Sequence, residues 1–197
     1  MSAEGVDLKK RRFLTAATAV VGAVGAGFAA VPFLASWQPS ERAKALGAPE
    51  EADISKLEEG GILRVKWRGK VCWVVHRTAQ NIKDLPTLDP LLVDPNSEAP
   101  QQPPYCKNGT RSIKPEYLVA VGICTHLGCS PTYRPEIAPD DLGESWRGGF
   151  FCPCHGSKFD LAARVLKGSP APTNLVIPPH QYLSDDVILI GDDGGAA

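Results

Sequence analysis

Two short segments of this 197-residue chain carry four of its six cysteines and two of its four histidines. Cys124-x-His126 lies in one, Cys152-x-x-His155 in the other, and each segment holds a further cysteine, Cys129 and Cys154. A thiolate and an imidazole one or two residues apart can turn toward one centre. Two such loops facing each other would supply two sulfur and two nitrogen ligands. On spacing alone that set suits a tetrahedral zinc ion. Structural zinc pairs are usually two to four residues apart, however, and the one-residue gap of Cys124-x-His126 is unusual for them. Cysteines crowded in this way mean a metal site, a disulfide or both.

The full strings are more specific. Cys124-Thr125-His126-Leu127-Gly128-Cys129 and Cys152-Pro153-Cys154-His155-Gly156-Ser157 resemble the two signature boxes of the Rieske iron–sulfur family. The resemblance implies one 2Fe–2S cluster, with Cys124 and Cys152 on the inner iron and His126 and His155 on the outer one. Two neutral imidazoles in place of two thiolates lessen the repulsion of an added electron and raise the reduction potential. The resemblance also makes Cys129 and Cys154 a disulfide joining the two loops, which fits an oxidising compartment. It places a hydroxyl at Ser157 that donates to a bridging sulfide and favours the reduced cluster; a plain loop serine would instead cap its own backbone.

Further stretches are similar to the Rieske subunit of respiratory cytochrome bc complexes. Lys66-Trp67-Arg68-Gly69-Lys70 with His76-Arg77-Thr78 resembles its opening hairpin. Gly168-Ser169-Pro170-Ala171-Pro172 resembles its proline loop, and Ser184-Asp185-Asp186 precedes a final strand. The likeness covers roughly 66–191. It implies a subunit that takes one electron, with a proton, from ubiquinol and passes it to a c-type cytochrome. The implied partners are cytochrome b, the c-type cytochrome and a lipid membrane, in a dimeric complex. His155 is the expected contact for quinol, with His126 the alternative. Two departures stand out. Phe159 occupies a place where many high-potential members carry a tyrosine. Ala163 precedes Arg164 where glycine is usual, and is strained if that turn needs positive φ.

These loops need a scaffold, and the rest of the chain reads as all-β. Glycine (19) and proline (18) are abundant, as turns and short strands require. Leu63, Val65 and Trp67 alternate with Arg64 and Lys66, Arg68-Gly69-Lys70 reads as a turn, and the return strand runs over 71–76. An irregular proline-rich excursion with a short helix is expected over 78–115. Strands over 117–123 and 149–151 should run into the two metal loops, with later strands at 164–166, 175–177 and 187–190. The expected fold is a small antiparallel β domain with a cluster-binding loop subdomain, over 60–197. Cys72 reads as a small buried residue, though a second disulfide with Cys106 is open. His76 and His180 read as structural or surface histidines.

The N-terminus is of another kind. Lys9, Lys10, Arg11 and Arg12 form a basic block, and 13–40 carries no charge. A helix over 13–35 would reach roughly 34 Å, enough for a hydrocarbon core of about 30 Å. The block resembles a twin-arginine export signal, with the pair reading Lys10-Arg11 when set against Phe13-Leu14. The organisation expected is therefore a cytoplasmic segment (1–12), one transmembrane helix (13–37), a flexible linker (38–59) broken by Pro39, Gly47 and Pro49, and the cluster domain in the periplasm of a bacterial inner membrane. A cleaved signal peptide, ending near Ala30 or Ala35, is the competing reading. A net charge of −1 gives no footprint for nucleic acid.

The reading of best fit is a subunit of ubiquinol–cytochrome c oxidoreductase. The small Rieske subunit of a periplasmic oxidase, such as arsenite oxidase, is the runner-up, and Gly156 with the proline loop favours the first. A zinc-binding interaction module is the reading from another class.

Overall fold

The computed structural model describes residues 5 and 7–195. It divides into a unit ending at Ala45 and a second beginning at Leu46. The first unit is dominated by helix α1, Leu8–Ala35, whose 28 residues correspond to about 42 Å. It starts earlier than the apolar run because Asp7 caps it, its carboxylate accepting from the Lys9 and Lys10 N–H groups. The basic block thus forms the first turns of the helix. None of the helix is buried in the protein, and its length and composition suffice to cross a membrane. Residues 1–4 and 6 of the expected cytoplasmic segment lie outside the described residues.

The expected linker is more ordered than its composition indicates. Glu41–Gly47 is a short helix, α2, and Glu50–Asp53 is a strand, β1, so strands begin before Gly61. Three of the four β1 residues are acidic and exposed; only Ala52 is buried. The strand exists because it pairs antiparallel with β9, Val187–Ile190, a partner more than 130 positions away.

The second unit holds three antiparallel sheets among the described residues. Strands β2 (Ile62–Trp67) and β3 (Lys70–His76) form the expected hairpin, joined by Arg68 and Gly69 at φ 49° and 72°. Two positive values in a row make the tight turn that suits the twist of paired strands. Strand β4, Tyr117–Val121, adds to β3. A second sheet joins β1, β9 and β8 (His180–Tyr182). The third comprises β5 (Thr132–Ile137), β6 (Arg147–Phe151) and β7 (Lys158–Asp160). The excursion carries helix α3, Ala79–Asp84, capped by Thr78, and two 3-10 turns.

The strand pattern differs in two respects, and Cys72 is the small buried residue expected. Strands β5, β7 and β8 were not foreseen. The apolar runs at 164–166 and 175–177 are extended, but they make isolated bridges and single bonds to loops rather than ladders. No second disulfide forms: Cys72 and Cys106 are free and buried. They lie in different cores, because Cys72 shares one face of β3 with Val74 while Trp73 and Val75 face the other. Burial pushes both thiols up to about 11.

The larger core contains Trp73, Phe150, Phe159 and both Cys124 and Cys152. Trp73 stacks on Phe150 with centroids 4.7 Å apart. Gly122 lies under the Trp73 ring, and a Cβ there would fall 2.3 Å from Cε2. This close approach brings the chain to Cys124 past a wall no larger residue could pass.

Candidate metal centre

The third sheet explains why two loops distant in sequence meet. The first runs from the end of β4 to the start of β5; the second connects β6 to β7. Thr132, opening β5, pairs with Phe151, closing β6. The end of one loop is therefore set beside the start of the other.

Each loop is closed by the same backbone pattern. The Cys124 N–H donates to the Cys129 carbonyl (2.7 Å) and the Gly128 N–H to the Cys124 carbonyl (3.0 Å). In the second loop the Cys152 N–H donates to the Ser157 carbonyl (2.8 Å) and the Gly156 N–H to the Cys152 carbonyl (2.9 Å). Both glycines take positive φ, 84° and 80°, where a side chain would be strained. The glycine four residues after each ligand cysteine is thus part of the loop's geometry. Cys129 and Cys154 are joined by a disulfide across the loops, with Cα atoms 6.7 Å apart.

The four expected ligands fall into two pairs. Cys124 and Cys152 are each 2% exposed and belong to one buried core. Burial pushes the Cys152 thiol above its ordinary pKa, and a bound cation would reverse that. The His126 and His155 rings meet edge to face, with centroids 4.8 Å apart; His126 is half-buried and His155 exposed. Among the described residues, the group of potential ligands whose donor atoms all lie within 4.8 Å is Cys129, Cys152 and Cys154. Two of those are spent in the disulfide. The two cysteines are thus buried and the two imidazoles lie nearer the surface, a set of two sulfur and two nitrogen donors.

Ser157 is fully buried, and its Oγ accepts the Ala171 N–H at 3.1 Å. It does not cap its own backbone. An oxygen used as acceptor leaves its O–H proton free to donate. The proline loop is tied to both ligand loops by groups that the sequence reading did not single out. Thr125 donates to the Thr173 carbonyl (2.7 Å), and the Ser169 Oγ accepts the Lys158 N–H (3.0 Å). Asn174 accepts the Val165 N–H and donates to the Asp94 carbonyl. These are ordinary polar residues in loops, with no local pattern to mark them.

Comparison with known proteins agrees with this geometry. A family model described as the Rieske [2Fe-2S] domain matches 106–179. A model of the ubiquinol–cytochrome c reductase Fe–S subunit twin-arginine signal matches 1–40. The ubiquinol–cytochrome c reductase iron–sulfur subunit of Allochromatium vinosum is 72% identical, over 100% of this chain and 95% of that protein. This chain belongs to that family, the Rieske iron–sulfur subunits. The subunit of the same description from Blastochloris viridis is 42% identical over 96% of this chain and 97% of its own. Among solved structures, a chain of a hyperthermophilic respiratory Complex III is 26% identical with a TM-score of 0.49, covering 90% of this chain and 98% of that one. The Rieske subunit described here is accordingly a 2Fe–2S electron carrier in an oxidoreductase complex, and it is membrane-anchored. The donor set above fits that cofactor.

Proposed function

We propose that Cys124 and Cys152 hold the inner iron of the cluster, that His126 and His155 hold the outer one, and that ubiquinol meets the chain at His155. The observation that carries this is the separation of the ligands by depth: two thiols at 2% exposure beneath two imidazoles, one of them exposed. When bound, the cluster supplies one-electron acceptance and donation. The chain's own groups do the rest. Cys124 and Cys152 anchor the cofactor to the buried core. His155 presents its outward ring nitrogen to quinol, as acceptor for the quinol hydroxyl, and holds the proton that leaves with the electron. Leu127, 71% exposed, offers an apolar contact beside the imidazoles. Ser157 holds its hydroxyl toward the ligand loops from below.

The relatives' names support ubiquinol as donor and a complex with cytochrome b and a c-type cytochrome; the working assembly in this reading is a dimer of that complex. The basic first turns of α1 support an orientation with the N-terminus cytoplasmic and the β domain periplasmic. In this reading 1–12 is cytoplasmic, 13–37 spans the bacterial inner membrane and 60–197 carries the cluster. Within the 38–59 linker, the strand at Glu50–Asp53 confines the flexible part to the residues before it. The family relationship favours this assembly over a periplasmic oxidase or a zinc module.

Purification of the tagged full chain from native membranes tests the assembly. b-type and c-type haem spectra and ubiquinol–cytochrome c reductase activity should accompany it. A chain that purifies alone, or with a molybdenum-containing subunit, contradicts it. The proton reading has its own signature: a midpoint potential that falls by about 59 mV per pH unit in the alkaline range, one proton per electron. A potential independent of pH would leave a plain electron carrier.

A further inference from the structure

Three arginines are buried around the turn that follows β7: Arg77, Arg111 and Arg164 are each at most 1% exposed. Among the described residues only one carboxylate, Asp160, is buried with them. Asp160 pairs with Arg164 at 2.8 Å, and Arg164 also reaches Asp89, whose side chain is 47% exposed. Arg164 is thus neutralised. Asp160 and Asp89 together carry one negative charge more than Arg164, so the three arginines keep a net single positive charge. Arg77 donates to the carbonyls of Pro115, Thr110 and Leu161 and to the Ser112 hydroxyl. Arg111 donates to the carbonyls of Ala162, Ala163 and Leu175 and to the Gln102 side-chain oxygen. Its Nε has no partner. Among the described residues neither makes an ion pair.

Burying an unpaired guanidinium is costly even when carbonyls solvate it. Carbonyls satisfy the donors but leave the charge. Burial pushes both groups down to about 10, so both remain cationic at neutral pH. Three of their six carbonyl partners, those of Leu161, Ala162 and Ala163, sit on the turn after β7, the strand that leaves the second ligand loop. Ala163 and Leu175, which Arg111 grips, belong to the same buried core as Cys124 and Cys152. Across such an apolar medium a charge is poorly screened. Arg111 and Arg77 lie near enough to Cys106, in that core, to oppose the rise that burial gives its thiol; the rise at Cys152 comes from burial and from groups of the ligand loops themselves.

We propose that Arg77 and Arg111, buried without ion-pair partners of their own and only partly offset by the second carboxylate on Arg164, raise the reduction potential of the cluster. Reduction adds a negative charge to the centre, so fixed positive charge favours the reduced state. The ligand loops themselves need not move for this to act. The proposal rests on the 2Fe–2S assignment, which iron and acid-labile sulfide content and the visible circular dichroism report separately from the potential.

The test is potentiometry on the full chain, purified in detergent with its cluster. Arg111→Gln removes a charge and should lower the midpoint potential. Arg111→Lys keeps the charge and should stay near the parent value. Asp89→Asn removes a counter-charge from Arg164 at an exposed site and should raise the potential. Opposite signs for Arg111→Gln and Asp89→Asn are the mark of a field, since loosening the fold would move both the same way. An unchanged potential in Arg111→Gln, a fall in Arg111→Lys as large as in Arg111→Gln, or no rise in Asp89→Asn overturns the proposal. If Arg111→Gln fails to hold its cluster, Asp89→Asn decides alone on the same terms.

Discussion

The N–H of Ala171, in the proline loop, donates to the Oγ of Ser157, in the second ligand loop, at 3.1 Å. One buried hydroxyl therefore links the second ligand loop to the proline loop, and still has a proton to give. Ser157→Ala removes both. A lost hydrogen bond to the cluster contributes about 0.5–1.5 kcal/mol, which at roughly 59 mV per tenfold is about 20–65 mV. The potential should fall by that order. The orphaned Ala171 N–H should cost about 1–3 kcal/mol of stability besides. Redox titration and thermal unfolding of the same preparation measure the two; a destabilised variant with an unmoved potential would limit Ser157 to bracing.

Phe159 presents the opposite case. It is fully buried in the core with Cys124 and Cys152, two residues beyond Ser157, and has no hydroxyl. Phe159→Tyr should raise the potential by about 20–65 mV, by the same conversion. A crystal structure must accompany the titration. A well-ordered tyrosine with no rise in potential would show that this side chain does not address the cluster.

The Cys129–Cys154 disulfide bridges 25 positions and joins loops that no strand pairing holds at their tips. Disulfides of this kind contribute about 2–5 kcal/mol in small domains. Cys129→Ser should leave the sheets intact but let water reach the cluster. The expected result is faster loss of the visible spectrum on warming and a lower potential. Full retention of both would mean that the backbone closures at Gly128 and Gly156 suffice.

His180 gives a pH dependence away from the cluster. It is 1% exposed, and burial holds its pKa below the ordinary 6.5. Below 6.5 the unfolded chain binds a proton that the folded chain refuses, so stability declines as pH falls from that value. Above it, both states are neutral there and this contribution is constant. Melting curves between pH 7 and 5.5 should show the decline, and His180→Gln should flatten it. An equal slope in the variant would place the dependence on other groups.

Much of the site was legible in the chain, for a physical reason. Ligand loops are local: cysteine, histidine and glycine at fixed offsets make a cage within six residues. The β2–β3 hairpin was legible too, because alternation and a two-residue turn are local. Ala163 was legible as a departure, and its φ of 61° bears the strain out. Its cost, about 1–2 kcal/mol, is partly offset by a methyl buried in the core, about 0.8 kcal/mol per buried group. What escaped was long-range. Glu50–Asp53 has no strand composition and is a strand only through β9. The runs at 164–166 and 175–177 look like strands, but Asn174, Gln101 and neighbouring loops take their backbone bonds. Three charged arginines in the interior have no signature in sequence at all.

The ligand assignment is tested most directly by pulsed electron paramagnetic resonance on the reduced full chain, with histidine labelled with nitrogen-15. Two imidazole nitrogens should couple to the centre, from His126 and His155. Replacing either histidine should abolish that two-nitrogen signal. A reduced centre with no histidine coupling, or a preparation containing zinc without acid-labile sulfide, would contradict the account.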